Sequence, residues 1–478
     1  MKDLEFLKKI IKEKEEMILD ANDWIHEFAE LPYEEYQSSA LLCSILKKEG
    51  FEVETGVAQM PTSFVGTFGS GRPVMGILGE FDALDILSQE AGCPVKKPVK
   101  EGAPGHGCGH CCLGTGALAA AISVKEYLRE FGLPGTVIYY GCAAEEGAGS
   151  KQFMARAGLF DNTDFVYTWH PASKNAVSAD SNNAIMGANF EFHGITAHAG
   201  GCPHLGRSAL DAAELMGVGT NYLREHMIDE ARVHYAYVDA GGEAPNVVQD
   251  HTLLKYEVRS PKVSQVKELF ERVVNIAKGA ALMTGTTMNY EITMAFSDYA
   301  PNHTLARVAS SCLQEVGAPQ WDEEDYALAK AYLNSYDEGT LKNIKEELAL
   351  AYGEERLEEI LEKPLDSEVH PFDPAHAHAS KGSTDVGDVG YVVPTVNINV
   401  ATACLGNVGH TWQMTGQAGS RIAHKGLITA AQVIALSCIR TMERPELIEQ
   451  AKAETLRKNG GKYECPLPDS VNPPVGKY

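Results

Sequence analysis

Apolar residues recur at helical spacing from Leu4 to Phe28 and predict one long amphipathic helix at the start of the chain. The pattern then shortens into apolar runs that end in polar chemistry: PVMGILGEFDALD (Pro73–Asp85), GTVIYYGCAAEE (Gly135–Glu146) and DFVYTWH (Asp164–His170). Helical patterns at Leu113–Phe131 and Ser150–Ala157 separate these runs. Short apolar strands alternating with helices predict a mostly parallel sheet with helices on both faces.

The texture changes after Gly187. ANFEFHGITAHAG, RVHYAYVDAGG and HTLLKYEVRS alternate apolar with polar, as half-exposed antiparallel strands do, with helical stretches at Ser208–His226 and Val263–Thr284. Strand–helix alternation returns with Tyr391–Ala401 and Ala418–Met442. The expectation is an α/β protein interrupted by a smaller α+β sandwich. A first catalytic part covers 1–186, an inserted lid or dimerisation domain 187–303, and a second catalytic part 304–478.

Composition narrows the function classes. The chain has 478 residues, 44% of them apolar, so two or three domains with ample core are expected. It carries 65 acidic against 41 basic side chains, a net charge of −24 that repels phosphate backbones and anionic lipid. Nucleic-acid and membrane partners are therefore not expected. Between Asp322 and Glu368 there are 15 acidic and five basic residues, which reads as a solvated helical insertion at 322–368. The first residues, MKDLEFLKKIIKEKEEMI, lack the apolar core of a signal peptide, and eleven cysteines is an odd count. Reduced thiols in the cytoplasm are the expectation.

Ligands of open α/β sheets bind beyond the carboxyl ends of the strands. Here those ends carry Glu80 and Asp82, then Glu145 and Glu146, then His170, while LGNVGH after the last strand ends at His410. GHGCGHCC (Gly105–Cys112) adds Cys108 and His110. In an extended segment two residues apart face the same way, so thiolate and imidazole can meet one zinc-like ion. The same residues equally suit a buried thiol cluster. Adjacent carboxylates point in different directions, so one of Glu145–Glu146 can hold an ion while the other moves a proton. GAGSK lacks the spacing of a phosphate loop, and neither HExxH nor GxSxG occurs. HAHASKGSTDVGDVG (His376–Gly390) reads either as a second lining of the site or as a capped loop.

In order along the chain run GHGCGH, CAAEEGAG, YTWHP, FHGITAHAGGCPHLGRSALDA, GSTDVGDVG and VGHTWQMTGQ. With these blocks the sequence resembles the co-catalytic metallo-amidohydrolases that include aminoacylases, glutamate carboxypeptidases and auxin-conjugate hydrolases. The resemblance implies two divalent metal ions, zinc or manganese, held by Cys108, His110, Glu146, His170 and His410, with Cys108 between them. It implies Glu145 as general base and His198 or His204 as the group that stabilises the oxyanion, supplied across a dimer of lid domains. Asn246 and Arg259 are the implied substrate contacts, Arg259 as a carboxylate clamp or an ordinary surface charge. The implied substrate is a small-molecule amide, an N-acyl or N-aroyl amino acid of the p-aminobenzoyl-glutamate type. The partner is a second copy or a related hydrolase subunit. One departure stands out: the family has Asp or Asn directly after CGH, and this chain has Cys111 and Cys112, which removes a polar neighbour for His110.

Three rivals remain at this stage. One is a dipeptidase for dipeptides with a basic residue, one a thiol enzyme using Cys108, Cys111 or Cys112, and one a non-catalytic subunit of a hydrolase complex.

Overall fold

The computed structural model describes residues 2–476. Its strands, in chain order, are β1 Glu52–Thr55, β2 Phe64–Ser70, β3 Val74–Glu80, β4 Gly135–Cys142, β5 Phe165–Ala172, β6 Asn175–Val177, β7 Ser181–Asn182 and β8 Ala184–His193. Then follow β9 Arg232–Asp239, β10 His251–Ser260, β11 Thr287–Phe296, β12 Val369–His370, β13 Ala379–Ser380 and β14 Thr395–Ala401. Eight of them form one sheet in the order β1-β2-β4-β3-β5-β14-β6-β12. Its four central strands, β4, β3, β5 and β14, run parallel. Both faces of β3 and β4 are almost wholly buried, as a parallel sheet between helical layers requires.

The helices His110–Phe131, Arg421–Met442 and Lys2–Phe28 pack against one another over this sheet. Arg421–Met442 is long and apolar enough to cross a membrane by composition, but 78% of its most apolar window lies buried in the core. The helix expected over Ala418–Met442 runs from Arg421 to Met442, capped by the Ser420 hydroxyl, and a short helix Trp412–Ala418 precedes it.

Strands β11-β8-β10-β9 make a separate antiparallel sheet, and the helices Ala209–Leu223 and Val263–Thr284 pack on it. This is the α+β lid. It rejoins the catalytic sheet through an Asn182–Tyr299 bridge and through Ser297, whose backbone N–H and hydroxyl both donate to buried Asp388.

The acidic insertion is more than a solvated run of helices. Ala329, Tyr332, Leu333, Ile344, Leu348 and Ile360 form a second core with Cys404, Leu405 and Ile422. Charges cover only the outer faces, because one apolar stripe per helix suffices to pack it. That core lies under the loop ending at His410: a Cβ on Gly406 would come within 2.3 Å of Ile344, and the Val408 N–H donates to Tyr336 Oη at 2.9 Å.

Candidate metal centre

A cavity of about 650 Å³ opens between the carboxyl ends of the central strands and the lid. β3 delivers Glu80, β4 runs into Glu145 and Glu146, β5 carries His170, and the loop after β14 brings His410. Cys108 comes from a turn tied to the loop after β3 by paired hydrogen bonds between Leu84 and Gly105. Gly107 O accepts the His410 N–H at 2.8 Å, which joins the Cys108 turn to the His410 loop.

Cys108 and His110 do converge, but for a reason other than extended backbone. Gly109 adopts φ +82° and His110 is the first residue of a helix, so a left-handed turn swings the two side chains together. A side chain at Gly109 would also meet Met414 at 2.7 Å.

Two triads share Cys108. Ligand atoms of Cys108, His110 and His170 all lie within 4.8 Å of one another, and so do those of Cys108, Glu146 and His410. Cys108 Sγ is 3.5 Å from His170 Nε2, and His410 Nε2 is 3.4 Å from Glu146 Oε1. Bonds of about 2.1 Å to N or O and about 2.3 Å to S set neighbouring donors of a tetrahedral ion about 3.4–3.6 Å apart. The spacings therefore suit divalent ions. His110 Nε2 and Glu146 Oε1 are buried without hydrogen-bond partners, 3.9 Å apart, as groups aimed at a cation are.

Ring orientation is set from behind. His170 Nδ1 donates to Pro171 O at 2.7 Å, and His110 Nδ1 donates to Asp82 Oδ1 at 2.8 Å, so both rings turn Nε2 toward the cage. Asp82 Oδ2 also takes the Glu146 backbone N–H at 2.8 Å. Asp82 thus fills the orienting role that Cys111 and Cys112 leave vacant. Those two thiols are fully buried and turned away, with Cys112 Sγ 3.1 Å from Ala418 O.

The electrostatics fit the same reading. Burial, then Glu80, Glu146 and Asp385, pushes Glu145 well above the usual carboxylate range, as suits a group that takes up and returns a proton. Burial opposes charge on Glu146, yet its contacts to His410 and His110 bring its pKa down to about 2. His110 titrates high because Cys108 and Asp82 outweigh its burial. A cage that draws in protons this way is one from which a dication displaces them. Burial raises the Cys108 thiol.

From the lid, Arg259 lines the cavity beside Glu257, 3.2 Å away, and its Nε is buried without a partner. His198, His204 and Asn246 do not line this cavity; all three are exposed on the lid. His198 and Asn246 lie together, since His198 bridges to Val247 and Ala199 N donates to Asn246 O at 2.9 Å. Gly200 and Gly201 N–H groups donate to His198 Nδ1 at 3.1 and 3.0 Å, which leaves Nε2 as the protonated, outward-facing nitrogen.

Sequence reasoning passed over Lys151 and Asp385. Lys151 is fully buried, 2.7 Å from Glu80 Oε1 and 2.5 Å from Asp385 Oδ1. Their only signals were the K of GAGSK and the first D of GSTDVGDVG. Glu35 was passed over as well: its carboxylate takes the N–H of Ala144, which sits at φ +57° just before Glu145.

The profile of peptidase family M20/M25/M40 matches residues 76–328. The chain is 40% identical to one of the subunits of p-aminobenzoyl-glutamate hydrolase of Escherichia coli K12, across 98% of each protein. It is 27% identical to the Xaa-Arg dipeptidase of Homo sapiens, covering 88% of this chain and 84% of that one. In fold it resembles a dinuclear metal-binding peptidase of Bacillus subtilis, with a TM-score of 0.58 at 16% identity over 90% and 99% of the two chains. An aminobenzoyl-glutamate utilization protein of Klebsiella pneumoniae matches equally well, at 0.58 and 16% over 92% and 99%. With its parallel sheet, inserted lid and cage of thiol, imidazole and carboxylate, the chain belongs to peptidase family M20/M25/M40 and is a metal-dependent amidohydrolase.

Proposed function

We propose that this enzyme hydrolyses the amide bond of an N-aroyl amino acid of the p-aminobenzoyl-glutamate type. The observation that carries this reading is one cavity holding the Cys108-centred cage, Glu145 beside it, and a lid wall of Ile185, Met294, Phe296 and Arg259. The 40% identity to a hydrolase of that name supports the substrate class.

Cys108, His110 and His170 would hold one ion and Cys108, Glu146 and His410 the other. Thiolate and imidazole donors suit zinc and the carboxylate also admits manganese. Such ions polarise a carbonyl and lower the pKa of water. Glu145 takes the proton from the attacking water and returns it to the leaving amine, a task its raised pKa suits. Arg259 offers its unpartnered Nε edge to the substrate carboxylate, and the apolar lid residues cover the aromatic ring. The higher identity to the p-aminobenzoyl-glutamate hydrolase subunit, 40% against 27% to the Xaa-Arg dipeptidase, favours this reading over the dipeptidase.

His198 serves the oxyanion from a second chain, with Nε2–H as donor. Exposed Tyr235, Tyr237 and Val238 on the edge strand β9, with Val218 and Tyr222 on the neighbouring helix, support association through the lid. The second chain is another copy or a related hydrolase chain. In support of the latter, the other p-aminobenzoyl-glutamate hydrolase subunit of Escherichia coli is also similar, at 30% identity over 271 residues. Eleven free cysteines suit the cytoplasm.

The test is hydrolysis of p-aminobenzoyl-glutamate by purified protein with zinc, with manganese and after chelation. Metal-restored turnover is the expected result. Bound metal without turnover on this substrate, but with turnover on Xaa-Arg dipeptides, overturns the substrate class.

A further inference from the structure

Strands β5 and β14 lie side by side under the cavity, and their parallel register sets Asn399 beside His170 and Asn397 beside Thr168. Alternation puts these four side chains on one face, while Trp169 turns to the other and donates its indole N–H to Leu113 O at 2.9 Å. A parallel strand advances about 3.3 Å per residue, so Asn397 stands about 6.6 Å behind the level of His170. Phe296, Tyr299 and Val386 line the same cavity with the flat, apolar surface that an aromatic ring fills. The Asn397 side chain is polar, and its Oδ1 is buried without a hydrogen-bond partner. Its backbone is fixed beside the lid junction, since the Asn397 N–H donates to Tyr299 Oη at 2.9 Å. A buried acceptor left unpaired costs free energy that an N–H or O–H on a ligand recovers.

We propose that Asn397 is a specificity-determining residue whose Oδ1 accepts a hydrogen bond from the para-amino group on the aroyl half of the substrate. The inference rests on the substrate reading above and deepens it. With the scissile carbonyl at the cage, a para-aminobenzoyl group laid along β14 reaches from the level of His170 to that of Asn397. Its ring then lies against Phe296, Tyr299 and Val386, and its N–H meets the unpaired amide oxygen. An aroyl group without a para donor leaves that oxygen unpaired, and a site with a buried polar partner discriminates against the analogue that lacks the matching group. A para-hydroxyl satisfies the amide in the same way, whereas a para-methyl of similar size does not. Arg259 remains for the carboxylate of the amino-acid half, so different groups read the two ends of the substrate.

The experiment measures kcat and KM of the metal-loaded enzyme for p-aminobenzoyl-glutamate and p-methylbenzoyl-glutamate, in wild type and in Asn397→Leu. Leucine replaces the amide by an apolar side chain of similar volume. The quantity read is the preference for the amino over the methyl substrate, because comparing it between the two proteins cancels the substituent's own effect on the amide bond. Asn397→Leu is expected to lower that preference at least fivefold, chiefly through KM for the amino substrate, and to leave kcat for the methyl substrate within threefold of wild type. A smaller change in preference, including one in which both substrates are slowed alike, would make Asn397 a structural part of the sheet and overturn the inference. If Asn397→Leu fails to fold, calorimetric binding of p-aminobenzoate and of p-methylbenzoate to wild type decides. At least fivefold tighter binding of the amino compound supports the inference, and a smaller difference overturns it. Wild type that cleaves neither aroyl-glutamate but cleaves Xaa-Arg dipeptides overturns the substrate reading and this inference with it. Cleavage of both aroyl-glutamates with a preference that Asn397→Leu leaves unaltered overturns this inference alone.

Discussion

Replacing Asp82 by Asn is expected to weaken ion binding on both sides of the cage together. Asp82 is 1% exposed and accepts two hydrogen bonds at 2.8 Å, from His110 Nδ1 and from the Glu146 backbone N–H. One carboxylate therefore sets a ligand from each triad. An Asn side chain keeps one acceptor, and its NH2 faces an N–H whichever way the amide turns. One bond to a charged acceptor is lost, worth about 1.5–3 kcal/mol. If all of that loss falls on the metal-bound geometry, affinity drops by about 10- to 100-fold, the range typical of partners behind metal ligands. The assay is zinc affinity by competition with a chromophoric chelator, with circular dichroism to confirm that the fold persists. At saturating zinc, kcat should recover far more than affinity does, because the Asp82→Asn change leaves every ligand and Glu145 in place. Zinc affinity within threefold of wild type in a folded variant would refute the claim that Asp82 orients the cage.

Further outcomes follow from the same geometry. Glu145→Gln should lower kcat by about 10²–10⁴-fold, the worth of a positioned proton carrier, while both equivalents of metal remain by elemental analysis. Arg259→Met should raise KM for p-aminobenzoyl-glutamate several-fold and leave an uncharged amide analogue unaffected, as parallel steady-state kinetics would show. Gly406→Ala should destabilise the insertion by about 1–3 kcal/mol, since φ there is +77° and the added Cβ would lie 2.3 Å from Ile344; thermal melting checks it. Burial raises the pKa of Asp388 to about 7, against the hydrogen bonds it accepts from Ser297 and Tyr463. The folded state therefore holds a proton that the unfolded state releases near 4. That contribution is present in full below pH 4 and is lost as pH rises toward 7. The melting temperature of the metal-free protein should carry this downward trend from pH 4.5 to 7, and Asp388→Asn should flatten it.

The strand ends were legible because each is a local pattern: an apolar run followed at once by Glu80, Glu145–Glu146 or His170. The fold class followed from the same alternation, and the structure bears it out with four parallel strands at the centre of the large sheet. The insertion is helical with solvated charged faces, as its charge counts suggest, but those counts pass over Leu333, Ile344 and Leu348 on the inner faces. Cys108 and His110 were brought together by the wrong geometry. Spacing of two suggests a strand, whereas three glycines in five residues allow a left-handed turn at the helix start.

By itself the sequence determined which chemical groups this protein owns and at which strand ends they emerge, since periodicity and turn residues act over a few positions. The tertiary structure alone decided which of them meet. Asp82 binding both His110 and Glu146, Lys151 lying between Glu80 and Asp385, and Tyr336 supporting the His410 loop each join residues distant in the chain. Such contacts depend on how helices and sheet close over a shared core, and no local pattern carries that information. The exposure of His198 on the lid, outside the cavity that holds the cage, is likewise a property of how the two sheets pack.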